Sequence, residues 1–134
     1  MNKEIAIRWA DALKNGNYKK TTKNMCTITK KGTMYNCALG VLCLLYNKDP
    51  NNKKKVSLTP LNYNEKGRLV LAFNYHTVCL PDEVVKWSGI SNNFGSFVNG
   101  HFAGRCISSL NDDLRAKRSF KRIAQIILSH YEKL

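Results

Sequence analysis

The stretch RAKRSFKRIA, residues 115–124, sets Arg115, Lys117, Arg118, Lys121 and Arg122 around Ser119, and an apolar-periodic run follows. A serine in that position predicts the cap of a helix. A helix start already carries about half a positive charge and four unpaired N–H donors. Acidic side chains are the favoured company there, so this crowd of cations needs a reason. The chemistry it could do is to hold a phosphate, with arginine forks and backbone N–H groups converging on one anion. Arg115, Arg118, Ser119, Lys121 and Arg122 are therefore the candidate ligand-binding residues. Asn111, just upstream, is a further candidate whose alternative role is an Asx-turn. Tyr18, Tyr35 and Phe94 lie in loops or hairpins close to basic residues. Each could stack on a base, a contact of ~1–3 kcal/mol.

Other chemistries find less support. The cysteines at 26, 37, 43, 79 and 106 show no C-x2-C knuckle, the usual nucleus of a structural zinc site. No metal and no cofactor is expected. An odd cysteine count without an export signal reads as free thiols in a reducing compartment. Cys37, at the predicted start of a buried helix, is the best-placed nucleophile, yet no local spacing couples His76 or His101 to a cysteine. Asp82-Glu83 and Asp112-Asp113 are sequence neighbours, suited to caps and turns. No phosphate-cradling glycine motif is present. No catalytic residue is assigned, and binding is favoured over catalysis.

The elements that must position these residues fit one domain, 1–134. Lysine and arginine number 22 against 9 acids, a net charge of +13 that repels itself and attracts polyanions. The longest apolar run, residues 37–46, is about half the ~20 residues that span a bilayer. The N-terminal stretch is amphipathic, unlike a signal peptide. A soluble, cytoplasmic protein with no membrane partner is expected.

Residues 3–15 predict a helix stopped at Gly16, and 25–35 a hairpin with Lys30, Lys31 and Gly32 at its tip. Asn36 is the predicted cap of a central buried helix over 37–46. Strands are expected at 56–60, 68–75 and 76–80, and a short helix starting at Pro81 and ending at Gly89. Residues 91–104 fit a glycine-rich loop or a hairpin; RCISSL fits a strand or a helix. The last helix runs from Phe120 to about Glu132, with Phe120, Ile123, Ala124, Ile127 and Tyr131 on one face. The fold class is α+β: a small antiparallel sheet, a buried central helix, and helices at both termini.

Several stretches occur in a telling order: W-x-x-A-L-x-x-G-x-Y (9–18), C-x-L-G-V-L-C (37–43), LPDEVVKWSG (80–89) and LND…SFKRIAQII (110–127). In this the chain resembles a widespread family of small phage and prophage proteins. The resemblance implies that Trp9, Leu13, Leu39, Val41, Leu42, Trp87, Phe120 and Ile123 form a shared core. It leaves Asn111, Asp112 and Ser119 as polar positions for a turn or a site. Members often carry acids after the SF pair, where this chain has Lys121 and Arg122. By analogy with phage anti-defence sponges, the expected function is non-catalytic sequestration of a nucleotide immune signal, a cyclic oligonucleotide or an ADP-ribose type, by a homodimer in the host cytoplasm. The alternative is a basic accessory protein that binds nucleic acid, and the third reading a small enzyme that degrades a signal.

Overall fold

The computed structural model describes residues 1–134. Helix α1 spans Lys3–Asn15; the Asn2 side chain accepts from the Ile5 N–H, and the Gly16 N–H donates back to the Ala12 carbonyl. Strands β1 (Lys19–Lys20), β2 (Cys26–Ile28) and β3 (Met34–Asn36) follow. The β2–β3 hairpin has Lys30, Lys31 and Gly32 at its tip, and Gly32 takes the left-handed φ of 83° for which it has no steric cost. Helix α2 spans Ala38–Lys48, strand β4 Leu58–Tyr63 and strand β5 Leu69–Phe73. Helices α3 (Asp82–Ser88), α4 (Ile107–Asp112) and α5 (Phe120–His130) complete the chain, with a 3-10 turn at Tyr131–Lys133. The fold is α+β, as expected.

The strand order is β1-β3-β2-β5-β4. Three of its pairings are antiparallel, but β1 runs parallel to β3, so the sheet is mixed. Two consecutive lysines carry no alternation that could announce an edge strand. Strand β4 lies two to three residues beyond its expected bounds and has an irregularity between Pro60 and Asn62. As an edge strand it tolerates the missing Pro60 donor. The expected strand at 76–80 does not form. Asn74 and Tyr75 both adopt positive φ, 46° and 71°, and turn the chain so that only His76 bridges back to Phe73. RCISSL resolves into α4, whose start is capped by the Cys106 sulfur accepting from the Ser109 N–H. Residues 91–104 form a loop, and an isolated bridge pairs Ser96 within it with Cys106, the cap of α4.

Helix α2 is the centre of the core. Ala38, Leu39, Val41, Leu42 and Cys43 are fully buried, because its apolar residues surround the cylinder. Gly40 is required by packing: a Cβ there would collide with the Met25 carbonyl. The cap is Cys37, whose sulfur accepts from the Gly40 N–H, and not Asn36. Asn36 instead closes β3, its side-chain oxygen buried without a partner. Trp9 is fully buried and donates its indole N–H to the Ala38 carbonyl at 2.9 Å, tying α1 to α2. Leu13, Phe120 and Ile123 are buried with it. Trp87 is only half-buried, between the Tyr46 ring at 5.5 Å and the Arg8 guanidinium at 5.9 Å. No helix is long and apolar enough to cross a membrane.

Candidate anion-binding site

The turn entering α5 is wound around one carboxylate. Asp113 Oδ1 accepts from the Arg115 and Ala116 N–H groups at 3.1 and 2.9 Å, and the Asp113 carbonyl accepts from the Lys117 N–H. Its Oδ2 takes the Arg118 guanidinium at 2.6 Å. These contacts, the Ala116 N–H first and Arg118 next, hold the Asp113 carboxyl below its ordinary range. Ser119 caps α5 as expected, its hydroxyl oxygen accepting from the Arg122 N–H at 3.2 Å. The crowding of cations at this helix start is thus offset in part by a single acid, which fixes Arg118 in place.

Beyond the cap, Arg122, Ile126 and His130 recur at helical i, i+4, i+8 spacing and so share one face. The loop 97–105 docks on that side. Its backbone is folded by Ala103 N–H to Gly100 carbonyl and Arg105 N–H to Phe102 carbonyl bonds, and the Val98 N–H donates to the Lys133 carbonyl after α5. Between loop and helix lies a cleft of about 370 Å³ lined by His101, Phe102, Arg105, Arg118, Arg122 and Ile126. An adjoining hollow of about 160 Å³ shares four of these residues and adds Gln125, Ser129 and His130. The Phe102 ring is braced edge-on by His101 at 4.9 Å and His130 at 5.2 Å. Arg122 donates to Gln125 Oε1 at 3.2 Å, and Arg105 is exposed. Three guanidinium groups therefore meet beside an aromatic wall, with Asp113 the one carboxylate paired to any of them. Such an arrangement can hold a phosphate through bidentate hydrogen bonds and cover an apolar ring next to it.

The remaining candidates are dispersed. Arg115 is exposed and lines neither hollow, and Lys121 faces a different groove, against α1. Asn111 is not a surface ligand but is 1 % exposed. Its Oδ1 accepts from the Ala38 N–H at 3.2 Å, its amide donates to the Thr21 carbonyl and to Asp112, and its own carbonyl accepts from Lys20 at 2.6 Å. With every polar group used, Asn111 staples α4 to the start of α2. Tyr18 accepts from Lys48 at 3.0 Å through its hydroxyl, with the Lys48 ammonium 5.6 Å from its ring. The Tyr35 ring has Arg68 at 4.1 Å and Lys19 at 5.8 Å, so cations occupy it already. Phe94 is exposed but lines neither hollow. Of the sequence candidates, Arg118 and Arg122 come together with Ser119 beside them. His101, Phe102, Arg105 and His130 were missed.

All five cysteines are free thiols, with Cys26, Cys37 and Cys43 buried and Cys79 and Cys106 partly so. Burial pushes the Cys37 thiol up to about 12, against the N–H donors of Gly40 and Leu39, which favours the protonated form over the nucleophilic thiolate. His76 Nδ1 does approach a cysteine, lying 3.3 Å from Cys79 Sγ across an i, i+3 turn. The Cys79 thiol is nonetheless raised, by burial first and then by Asp82, so this pair is not an activated one. No group of three His, Cys, Asp or Glu side chains is placed to hold a metal ion.

The chain belongs to the family described as a domain of unknown function (DUF8296), whose model matches residues 1–131. No curated protein and no solved structure matches it.

Proposed function

We propose that the protein binds a phosphate-bearing nucleotide in the cleft between loop 97–105 and α5 and holds it without transforming it. One observation carries this reading: Arg105, Arg118 and Arg122 come from a loop, a turn and a helix, yet line a single cleft beside Phe102. Guanidinium groups from separate segments stay together at a cost in repulsion that an anion relieves. The arginines would hold phosphate oxygens, and Phe102 would pack on the nucleoside. The resemblance to phage proteins makes a nucleotide signal of host defence, a cyclic oligonucleotide or an ADP-ribose type, the proposed ligand, sequestered in the host cytoplasm. Arg105 and Arg122 are exposed at the cleft, and a homodimer would cover them, with the ligand's phosphates neutralising the facing arginines.

The second reading, nucleic-acid binding, draws on the exposed run Lys53 to Lys55, far along the chain from the cleft. A panel of cyclic dinucleotides, ADP-ribose compounds and short DNA, followed by thermal shift, separates the two. The sponge reading expects one small nucleotide to stabilise the protein stoichiometrically, and expects Arg105→Glu/Arg122→Glu to abolish that shift with the apo melting temperature kept. Stabilisation by DNA alone, with a steep loss of affinity as salt rises, would reject it. Conversion of the nucleotide on long incubation would instead reveal an enzyme.

A further inference from the structure

A second surface lies on the neighbouring face of α5, with Gln125 at the border between it and the hollow beside the cleft. The Met1 ammonium donates to the Leu134 carbonyl at 2.8 Å, which sets the beginning of α1 beside the end of α5. The two helices therefore run antiparallel, and a groove of about 250 Å³ opens between them. Ala10 and Ala124, each 2 % exposed, form its floor. Toward one end stand Ile7 and Leu128, 50 % and 48 % exposed although large and apolar. Toward the other stand Lys14 and Lys121, both exposed, and neither joins any of the three ion pairs. The one acid in the groove, Asp11, already accepts from the Asn15 amide at 2.7 Å.

We infer that this groove is a docking site for an acidic amphipathic helix of a partner protein. The volume falls below the ~300–1,000 Å³ of a small-molecule pocket and suits one or two inserted side chains. Small residues in the floor let another helix approach closely, and its apolar i, i+4 residues would fill the space between Ile7 and Leu128. Its Asp or Glu two turns on would meet Lys14 and Lys121. Charge decides between occupants: a second copy seated groove to groove would bring its own unpaired Lys14 and Lys121 against these two, with no ligand phosphate between them, whereas an acidic partner is attracted and oriented by the basic end. Lys121 thus lines this groove and not the nucleotide cleft, so charge reversal at Lys14 and Lys121 tests the groove while Arg105→Glu/Arg122→Glu tests the cleft.

The test is selection from a displayed library of amphipathic helices with randomised polar faces, run against the wild type and against Lys14→Glu/Lys121→Glu. The expected result is enrichment of helices with an apolar pair followed by acids, and at least tenfold weaker binding of those peptides to the charge-reversed variant. Leu128→Glu should block them as well. All three positions are exposed, and an unchanged circular dichroism melt certifies folding. No enriched acidic helix, or peptides indifferent to both variants, would overturn the inference. So would concentration-dependent dimerisation in sedimentation that Leu128→Glu abolishes, since a second copy would then own the groove.

Discussion

Helices α2 and α5 begin in opposite ways. At the start of α2 the free N–H groups are taken from inside the molecule: Cys37 Sγ accepts from Gly40, and Asn111 Oδ1 accepts from Ala38. Both acceptors are buried and the site is full. At the start of α5 the Ser119 hydroxyl takes one N–H, while Arg118 and Arg122 stand at a cleft with Asp113 as their only acid. The first arrangement spends its polar groups on the fold; the second leaves guanidinium donors unspent. The start of α2 has no donor left for a ligand, whereas donors and cations at the start of α5 exceed the acceptors the chain supplies there.

The contrast can be broken most forcefully at its closed end. Asn111→Ala would leave the Ala38 N–H and the Thr21 carbonyl buried and unpaired, a cost of about 2–4 kcal/mol. Urea unfolding measures it; a loss near zero would mean that Asn111 is free to serve a ligand after all. Alkali should find the same end. Burial raises the Cys26 and Cys37 thiols from 9.0 to about 12, so both are protonated in the folded state where the unfolded chain ionises. Above pH 9 the unfolded chain binds fewer protons, and stability falls as pH climbs toward 12; below pH 9 this contribution is fully present. Cys37→Ala should make that slope shallower, with the Cys26 share remaining, and an unchanged slope would show that the Cys37 thiol contributes nothing to it. The open end should respond more weakly: Ser119→Ala loses one cap and about 1 kcal/mol. A loss as large as that of Asn111→Ala would erase the distinction between the two helix starts.

The sequence made one of these helix starts legible and hid the other. Ser119 before an apolar period announced α5 and its cap, and the same kind of pattern located α1, the hairpin and α2. Asn111 stands in a motif, but its partners Ala38 and Thr21 are far away in the chain, so staple and ligand looked alike. Cys37 rather than Asn36 took the cap because Asn36 was committed to β3, a pairing that local pattern does not encode. The cleft itself depends on loop 97–105 docking against α5, a long-range event. Its readable trace is the i, i+4, i+8 series Arg122, Ile126 and His130, which places a cation and an imidazole on one face of α5 but does not say what packs against them. The β1 edge strand, which does pair with β3, left no trace in the sequence for a simpler reason: two lysines have no alternation to read.

The central claim, that the α5 cleft is a built phosphate site, is tested most directly by a two-dimensional NMR titration with inorganic pyrophosphate. A built site gives saturable one-to-one shifts confined to residues 101–105 and 118–130, lost in Arg105→Glu/Arg122→Glu. Weak, unsaturated shifts spread over Lys30, Lys31 and Lys53 to Lys55, and unchanged in that variant, would contradict it and leave only a diffusely basic surface.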